Sequence, residues 1–162
     1  MTDQKDDPAF RYFPTNYRWS MGLLLCLSAA PWGGAEIDEV NRVGLALKDK
    51  VGDDKAWLEE WAKMGDKVEA RGREEEQKGH KLTAAAYLMR ASQYYQTGER
   101  FLQHGPNSAA IYKKAVKSFA DAARMINRPK IESVEVPYGD KTLPALFVHA
   151  APEVAEIGRA HV

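Results

Sequence analysis

The side chains best suited to chemistry form one cluster: Tyr94, Tyr95, Glu99, Arg100 and Phe101. Tyr95 and Glu99 are four positions apart, so on a helix they project from the same face, one turn apart. A hydroxyl and a carboxylate on one face suit the wall of a pocket that holds a small molecule. We therefore predict that Tyr95 and Glu99 bind substrate. The alternative is a helical core in which Glu99 pairs with a nearby arginine or lysine.

The short motifs of well-known catalytic sites are absent from the sequence. It contains no G-x-S-x-G nucleophile elbow, no phosphate-binding or dinucleotide-binding glycine motif and no H-E-x-x-H. His80, His104 and His149 lie far apart along the chain, without the spacing of metal ligands. Cys26 lies in an apolar segment, where a thiol is usually inert packing. We predict no catalytic residue, no metal site and no cofactor within this chain.

Length and composition favour one folded domain that does not bind nucleic acid. The 162 residues include 23 Lys plus Arg and 23 Asp plus Glu, so no net charge attracts nucleic acid or an anionic membrane. The apolar fraction of 44% is typical of a globular chain. A single cysteine cannot form an intrachain disulfide, and a cytoplasmic location is expected.

A short apolar segment from Met21 to Ala30 offers an alternative location. The segment has the length of the apolar part of a signal peptide. However, some twenty residues precede the segment, and they are rich in acidic and aromatic side chains, whereas the region before the apolar part of a signal peptide is short and basic. The segment is also far shorter than a membrane-spanning helix. A buried helix is therefore the preferred interpretation, and a secreted or membrane-anchored protein is the alternative.

The elements that must position these side chains are predicted to be five helices. Apolar residues recur at helical spacing from Asn16, from Ala35, after a capping Asp53 or Asp54, from Lys81 or Thr83, and from Ser108 to Ile126. The segment 71–78 is charged on every side and is interpreted as a solvated helix end. The residues expected in the core are Ile37, Val40, Val43 and Leu47, then Trp57, Trp61, Met64 and Val68, then Tyr87, Ala91, Tyr94, Tyr95 and Phe101, and finally Ile111, Ala115, Phe119, Ala122 and Ile126.

After Pro129 the apolar period changes from that of a helix to that of a strand. Val134, Val136 and Tyr138 alternate with polar residues or proline, Gly139 and Asp140 supply a turn, and alternation resumes on the return. This pattern predicts a β-hairpin over residues 131–148. Two strands alone are marginally stable in water, so we expect the sheet to continue in a segment that this chain lacks.

The predicted fold class is mainly α: an N-terminal, cap-type helical domain of about five helices followed by a β-hairpin. The predicted divisions are an extended arm at 1–15, the helical domain at 16–128, the hairpin at 129–150 and a truncated linker at 151–155. Residues 156–162 (EIGRAHV) match the translation of a common sequencing adapter. We expect these seven residues to be read-through, and the native reading frame to continue past residue 155.

Five segments carry a family resemblance when they occur together and in this order. They are NYRWS (16–20), WGGAEIDEV (32–40), WLEEW (57–61), GHKLTAAAYLMRASQYYQTGERFL (79–102) and IESVEVPYGDKTLPALFV (131–148). The sequence from about Phe10 to Ala151 thereby resembles the N-terminal region of the FrsA-like α/β-hydrolases. That group includes dihydroxypseudooxynicotine hydrolase and the fungal polyketide hydrolases of melanin synthesis.

The resemblance implies a serine hydrolase with a Ser-Asp-His triad that acts on a small-molecule ester or ketone. It also implies that the helical domain contributes to a lid over the active site and that the hairpin forms the first two strands of the hydrolase sheet. No triad residue can be assigned to this chain, because the family's catalytic segments follow Phe147. We therefore expect a fragment that is inactive alone, with a homodimer as one possible assembly. The alternative is a free-standing interaction module that binds through its Tyr and Trp faces.

Overall fold

The computed structural model describes residues 10–103, 105–126 and 129–150. Outside these ranges lie residues 1–9 of the predicted arm, the predicted linker at 151–155 and the predicted read-through at 156–162. Two short 3-10 turns, Ala30–Trp32 and Lys48–Lys50, lie on either side of the second helix. The main elements are α1 (Tyr17–Leu27), α2 (Ile37–Ala46), α3 (Asp54–Gln77), α4 (Lys81–Glu99), α5 (Pro106–Met125), β1 (Ile131–Tyr138) and β2 (Lys141–Val148). The predicted fold class, five helices and then a hairpin, is confirmed.

Side-chain caps explain where α1 and α3 begin. The Asn16 side chain accepts a hydrogen bond from the backbone N–H of Trp19 at 3.0 Å, and Asp53 accepts from the N–H groups of Lys55 and Ala56. Each cap satisfies backbone donors that the first turn leaves without a partner. Asp54, the other predicted cap, instead accepts from the indole Nε1 of Trp19 at 2.9 Å. This bond joins α1 to α3.

A set of large aromatic side chains fills the core between α1, α3 and α4. Trp19, Trp57, Trp61, Tyr94 and Tyr95 have no exposed surface. Trp57 donates from Nε1 to the backbone carbonyl of Thr97 at 2.8 Å, so its polar group is satisfied inside the core. The helices α3 and α4 approach closely because Gly65 and Gly98 have no side chain. A Cβ at Gly65 would lie 2.5 Å from the ring of Tyr95.

Seven residues predicted in the core are not fully buried. Four of them, Met64, Tyr87, Phe101 and Ile111, are half-buried against the core. Ile37 is 68% exposed because, at 100° per residue, it lies roughly 90° from the centre of the arc formed by Val40, Val43 and Leu47. Ile126 is half-buried because the backbone leaves the helix there, at φ −95° and ψ 125°. Phe119 is half-buried because it lines an open groove beside the hairpin.

The charged segment 71–78 is also only partly a solvated helix end. Gly72 is buried against Leu88 and Tyr87 of α4. The Arg73 side chain is only 28% exposed and reaches across to α5. Amphipathic periodicity misses this contact because a long charged side chain can cover a neighbouring helix with its stem.

The two strands form an antiparallel hairpin, which confirms the prediction of a hairpin over residues 131–148. Val134 pairs with Ala145 and Val136 with Leu143. The connecting turn places Gly139 at φ 59°, a left-handed conformation that glycine adopts without strain. Among the described residues the sheet contains these two strands only. The helix α5 packs against β1, and most side chains of both strands remain exposed.

Candidate functional site

Tyr95 is placed on α4 with its hydroxyl turned towards α3. Its Oη lies 2.6 Å from Oδ1 of Asp66 and 2.8 Å from Oε2 of Glu69. Burial, reinforced by the two carboxylates, raises the pKa of the Tyr95 hydroxyl far above its ordinary value, so the group is a neutral hydrogen-bond donor. Lys114 of α5 pairs with Asp66 at 2.7 Å. The Tyr95 hydroxyl is therefore the centre of a polar contact that joins α3, α4 and α5.

Glu99 lies one turn further along α4, but its carboxylate points elsewhere. It accepts a hydrogen bond from the Ser108 hydroxyl, in the first turn of α5, at 2.6 Å. This bond lies across the turn between α4 and α5, and the predicted arginine or lysine partner is replaced by a serine. The structure does not bring Tyr95 and Glu99 to a common cavity wall. Their role in substrate binding stays a prediction.

An apolar groove lies between parts of α5 and the hairpin and has a volume of about 700 Å³. This volume is within the range of small-molecule sites, although the groove is open to solvent. Gln96, Ser133 and Glu135 provide polar groups along it. The apolar wall consists of Tyr112, Val116, Phe119, Ala120, Val134, Pro144, Ala145 and Leu146. We refer to these eleven residues as the α5–hairpin groove.

The α5 side of this groove was not predicted from the sequence, although the sequence contains a signal for it. Beside the predicted core stripe, Tyr112 and Val116 form a second apolar row at a spacing of four. One helix packed on one partner cannot bury so wide an apolar arc. Tyr112 and Val116 are accordingly among the exposed large apolar residues. An apolar arc wider than a single packing face could have indicated a second surface on α5.

A second polar contact joins α2 to α4. The Tyr94 hydroxyl donates to Oε2 of Glu39 at 2.7 Å and accepts from the backbone N–H of Glu36 at 3.0 Å. Arg90 also pairs with Glu39, at 2.9 Å. The Glu39 carboxylate neutralises the largely buried Arg90 guanidinium, and the contact holds α2 against α4. The Tyr94 hydroxyl already donates one hydrogen bond and accepts another within this contact.

The remaining candidates for chemistry are separated from one another. His80 contacts Glu75 at 2.7 Å, while His149 contacts Glu132 at 2.8 Å at the base of the hairpin. His104 lies outside the described residues. Burial raises the pKa of the Cys26 thiol to about 11, so it is protonated at neutral pH and is not a nucleophile. The described residues contain no group of three His, Cys, Asp or Glu side chains that could hold a metal ion.

Within the described ranges, no helix has both the length and the apolar character needed to cross a membrane. The segment that resembled the apolar part of a signal peptide forms most of α1 and the start of the turn that follows it. Leu23 and Cys26 of this segment are buried in the helical core.

Comparison with known proteins shows a relationship to hydrolases. No family model matches the chain. The hydrolase LUC6 of a Fusarium species is 31% identical over 154 residues, which are 93% of this chain and 36% of that protein. The α/β hydrolase psoB of Aspergillus fumigatus is 29% identical, over 83% of this chain and 31% of its own length. The α/β hydrolase ucsC of an Acremonium species is 25% identical, over 81% and 28%.

These similarities cover between 81% and 93% of this chain. The chain is related to proteins named hydrolases and α/β hydrolases. It spans about a third of the length of the curated relatives that it matches.

Proposed function

We propose that this chain is the N-terminal helical part of a serine hydrolase of the α/β type, in the FrsA-like group. The similarity to named hydrolases, which covers most of this chain but only about a third of each relative, supports the proposal. The observation that carries it is the hairpin. Its two strands follow the five helices and leave most of their side chains exposed, as expected of strands that belong to a larger sheet.

In this proposal the chemistry takes place outside the described residues. A serine activated by a histidine would attack the carbonyl of an ester, or of a ketone in carbon–carbon bond hydrolysis, and backbone N–H groups would hold the oxyanion. The helical domain would contribute the lid and one wall of the substrate pocket. The chain alone would be inactive, because it contributes no nucleophile, base or oxyanion donor.

As the wall of the substrate pocket that the helical domain would contribute, we favour the α5–hairpin groove over Tyr95 and Glu99. Tyr95 has no exposed surface, and its hydroxyl is already hydrogen-bonded. Tyr112 and Val116 are about half exposed, in an apolar groove with Gln96 at its edge. An apolar small molecule gains more binding free energy by covering exposed apolar side chains than from a hydroxyl that it cannot reach.

The alternative function, an interaction module that binds through its Tyr and Trp faces, has less support. Trp57, Trp61, Tyr94 and Tyr95 of α3 and α4 are fully buried, so a partner could reach them only if the helical domain opened. Tyr17, Trp32 and Tyr112 are exposed, but they belong to three different elements.

The sequence of the encoding gene tests the proposal. We expect the reading frame to continue past residue 155 and to encode a G-x-S-x-G pentapeptide at a predicted strand-to-helix turn, with an acidic residue and a histidine further along. A gene that stops at residue 155, or that continues without such an elbow, would contradict the assignment to the serine hydrolases.

A further inference from the structure

The α5–hairpin groove has one charged residue, Glu135, among its eleven lining residues. The hairpin register relates Glu135 to the other strand residues of the groove. Ser133 pairs with Leu146 and Glu135 pairs with Pro144, and because paired residues of a hairpin share a face, these four side chains lie on the same face. All four residues line the groove. The hairpin face turned towards α5 therefore carries a carboxylate among apolar and neutral side chains.

The Glu135 carboxylate has no ion-pair partner among the described residues. Charged side chains also occur in a shallower depression that continues the groove towards the base of the hairpin, but these are paired. Arg124 pairs with Asp121. Glu132 pairs with Lys130. Within the described ranges the groove itself is lined by no lysine, arginine or histidine, so nothing in its wall offsets the charge of Glu135.

The neutral polar groups of the groove can still form hydrogen bonds. The hydroxyls of Tyr112 and Ser133 have no hydrogen-bond partner in the described part of the chain. The Gln96 amide donates to Oγ of Ser92 at 3.4 Å, which is long for a hydrogen bond and leaves the amide oxygen available. A bound molecule could therefore be oriented by polar contacts along a wall that is mainly apolar.

The charge of Glu135 favours a small molecule over a packed protein segment as the occupant. A helix or strand laid across the groove would take the Glu135 carboxylate out of water, which is costly unless the segment brings a cation to it. A small molecule can cover Tyr112 and Val116 and leave the carboxylate in water, or it can place a positive group beside the carboxylate. The groove volume of about 700 Å³ is within the range of small-molecule sites.

We infer that the α5–hairpin groove binds an apolar small molecule without negative charge, and that Glu135 excludes anions such as carboxylates and phosphates. The inference rests on the proposed function, in which this molecule is the substrate. A negative group on the ligand would be repelled by Glu135 and would find no cation in the wall. The residue is thus a determinant of specificity, and the substrate class is that of uncharged or cationic apolar compounds.

Binding of three naphthalene derivatives of nearly equal shape to the 162-residue chain tests this inference. Naphthylmethanol is neutral, naphthylmethylamine is cationic at neutral pH, and naphthoate is anionic. Titrations in a low-salt buffer, followed by the backbone amide NMR signals of Val116, Ala120 and Ala145, give a dissociation constant and locate the binding site. We expect naphthoate to bind about fivefold or more weakly than naphthylmethanol, and the amine to bind at least as tightly as the alcohol.

Two pairs of variants separate the charge of the groove from its apolar wall. Glu135→Gln should bring the dissociation constant of naphthoate to within about twofold of that of the alcohol. Glu59→Gln makes the same change of charge at an exposed position of α3 outside the groove and should leave the difference intact. Val116→Gln should weaken the binding of all three compounds about fivefold. Leu45→Gln, at an exposed leucine of α2, is its control and should have no effect.

Equal or tighter binding of naphthoate would overturn the inference, as would amide shifts that lie outside the groove. Failure of all three compounds to bind, which is expected if another part of a longer protein fills the groove, would also overturn it. The test requires no catalytic residue. A negative result together with a reading frame that encodes a nucleophile elbow would leave the proposed function standing, whereas a frame without an elbow would remove that function and leave the measured charge preference.

Discussion

The guanidinium of Arg73 on α3 contacts the carboxylate of Asp121 on α5, with Nη2 and Oδ2 2.5 Å apart. The Asp121 side chain is 7% exposed and also pairs with Lys117 and Arg124 on its own helix. Arg73 donates in addition to Glu69 and Glu76. The helix α5 forms one side of the α5–hairpin groove and packs against the hairpin. The ion pair between Arg73 and Asp121 therefore helps to hold in place the helix that positions the groove and the hairpin.

Removing the charge of Asp121 should loosen α5. We expect Asp121→Asn to lower the free energy of unfolding by about 2 kcal/mol, somewhat less than for a fully buried pair because Arg73 keeps some contact with water. Urea denaturation followed by circular dichroism measures the change. Asp38→Asn, at an exposed ion pair on α2, is the control and should change stability by less than about 0.5 kcal/mol.

The contribution of Asp121 should also depend on pH. Burial alone would raise the pKa of this carboxyl, but hydrogen bonds from Lys117 and Arg73 together outweigh burial and hold the pKa below its ordinary value of 3.8. A folded-state pKa below the unfolded value means that the stabilisation is complete above about pH 4 and is lost as pH falls through the folded value.

The stability difference between the parent chain and Asp121→Asn should therefore be constant from pH 7 to 5 and should shrink below pH 4. Denaturation midpoints measured at one-unit intervals of pH give this curve. A difference that stayed constant down to pH 2 would show that the ionised carboxylate contributes nothing to stability.

The close approach of α3 and α4 at Gly65 gives a prediction about packing. A methyl group at this position would lie 2.5 Å from the Tyr95 ring, which is fully buried and cannot move away. Gly65→Ala is expected to cost about 1 to 3 kcal/mol, despite the better helix propensity of alanine. The comparison variant Gly105→Ala adds a methyl whose nearest neighbour is 3.9 Å away, so it causes no clash. Gly105 is the N-cap of α5, and the cost of this variant should be limited to the poorer capping by alanine, about 1 kcal/mol or less.

Two tryptophans at opposite extremes of burial provide a matched pair for the core. Trp61 has no exposed surface, whereas Trp32 is 87% exposed. We expect Trp61→Ala to lower the free energy of unfolding by about 3 to 5 kcal/mol and Trp32→Ala to lower it by less than about 0.5 kcal/mol. Equal effects of the two substitutions on guanidinium denaturation would show that the aromatic core is described incorrectly.

The sequence predicted the parts of the fold that depend on local pattern. A helix start capped by Asp53 or Asp54, the aromatic stripe of α3 and the hairpin over residues 131–148 were all predicted from residue type and spacing, and the structure assigns the cap to Asp53. Ile37 shows the limit of this reasoning. A spacing of three from Val40 suggested a shared face, but the true packing arc is centred on residues further along α2.

The candidate site could not be predicted in the same way, because its contacts join elements that are distant in sequence. Nothing local indicates that Arg73 reaches Asp121 or that the Tyr95 hydroxyl meets Asp66. The groove likewise depends on where α5 and the hairpin pack relative to each other.

The central claim is that this chain supplies the helical part of a hydrolase but none of its catalytic residues. Its most direct test is the rate of p-nitrophenyl acetate hydrolysis by two proteins: the purified 162-residue chain, and the product of the uninterrupted reading frame from the source DNA. We predict no turnover by the chain above the background of free histidine, since loss of the nucleophile or base of a triad costs on the order of a millionfold. The longer product should show saturable turnover. Saturable turnover by the 162-residue chain itself, abolished by Glu99→Gln or His80→Ala, would contradict the claim.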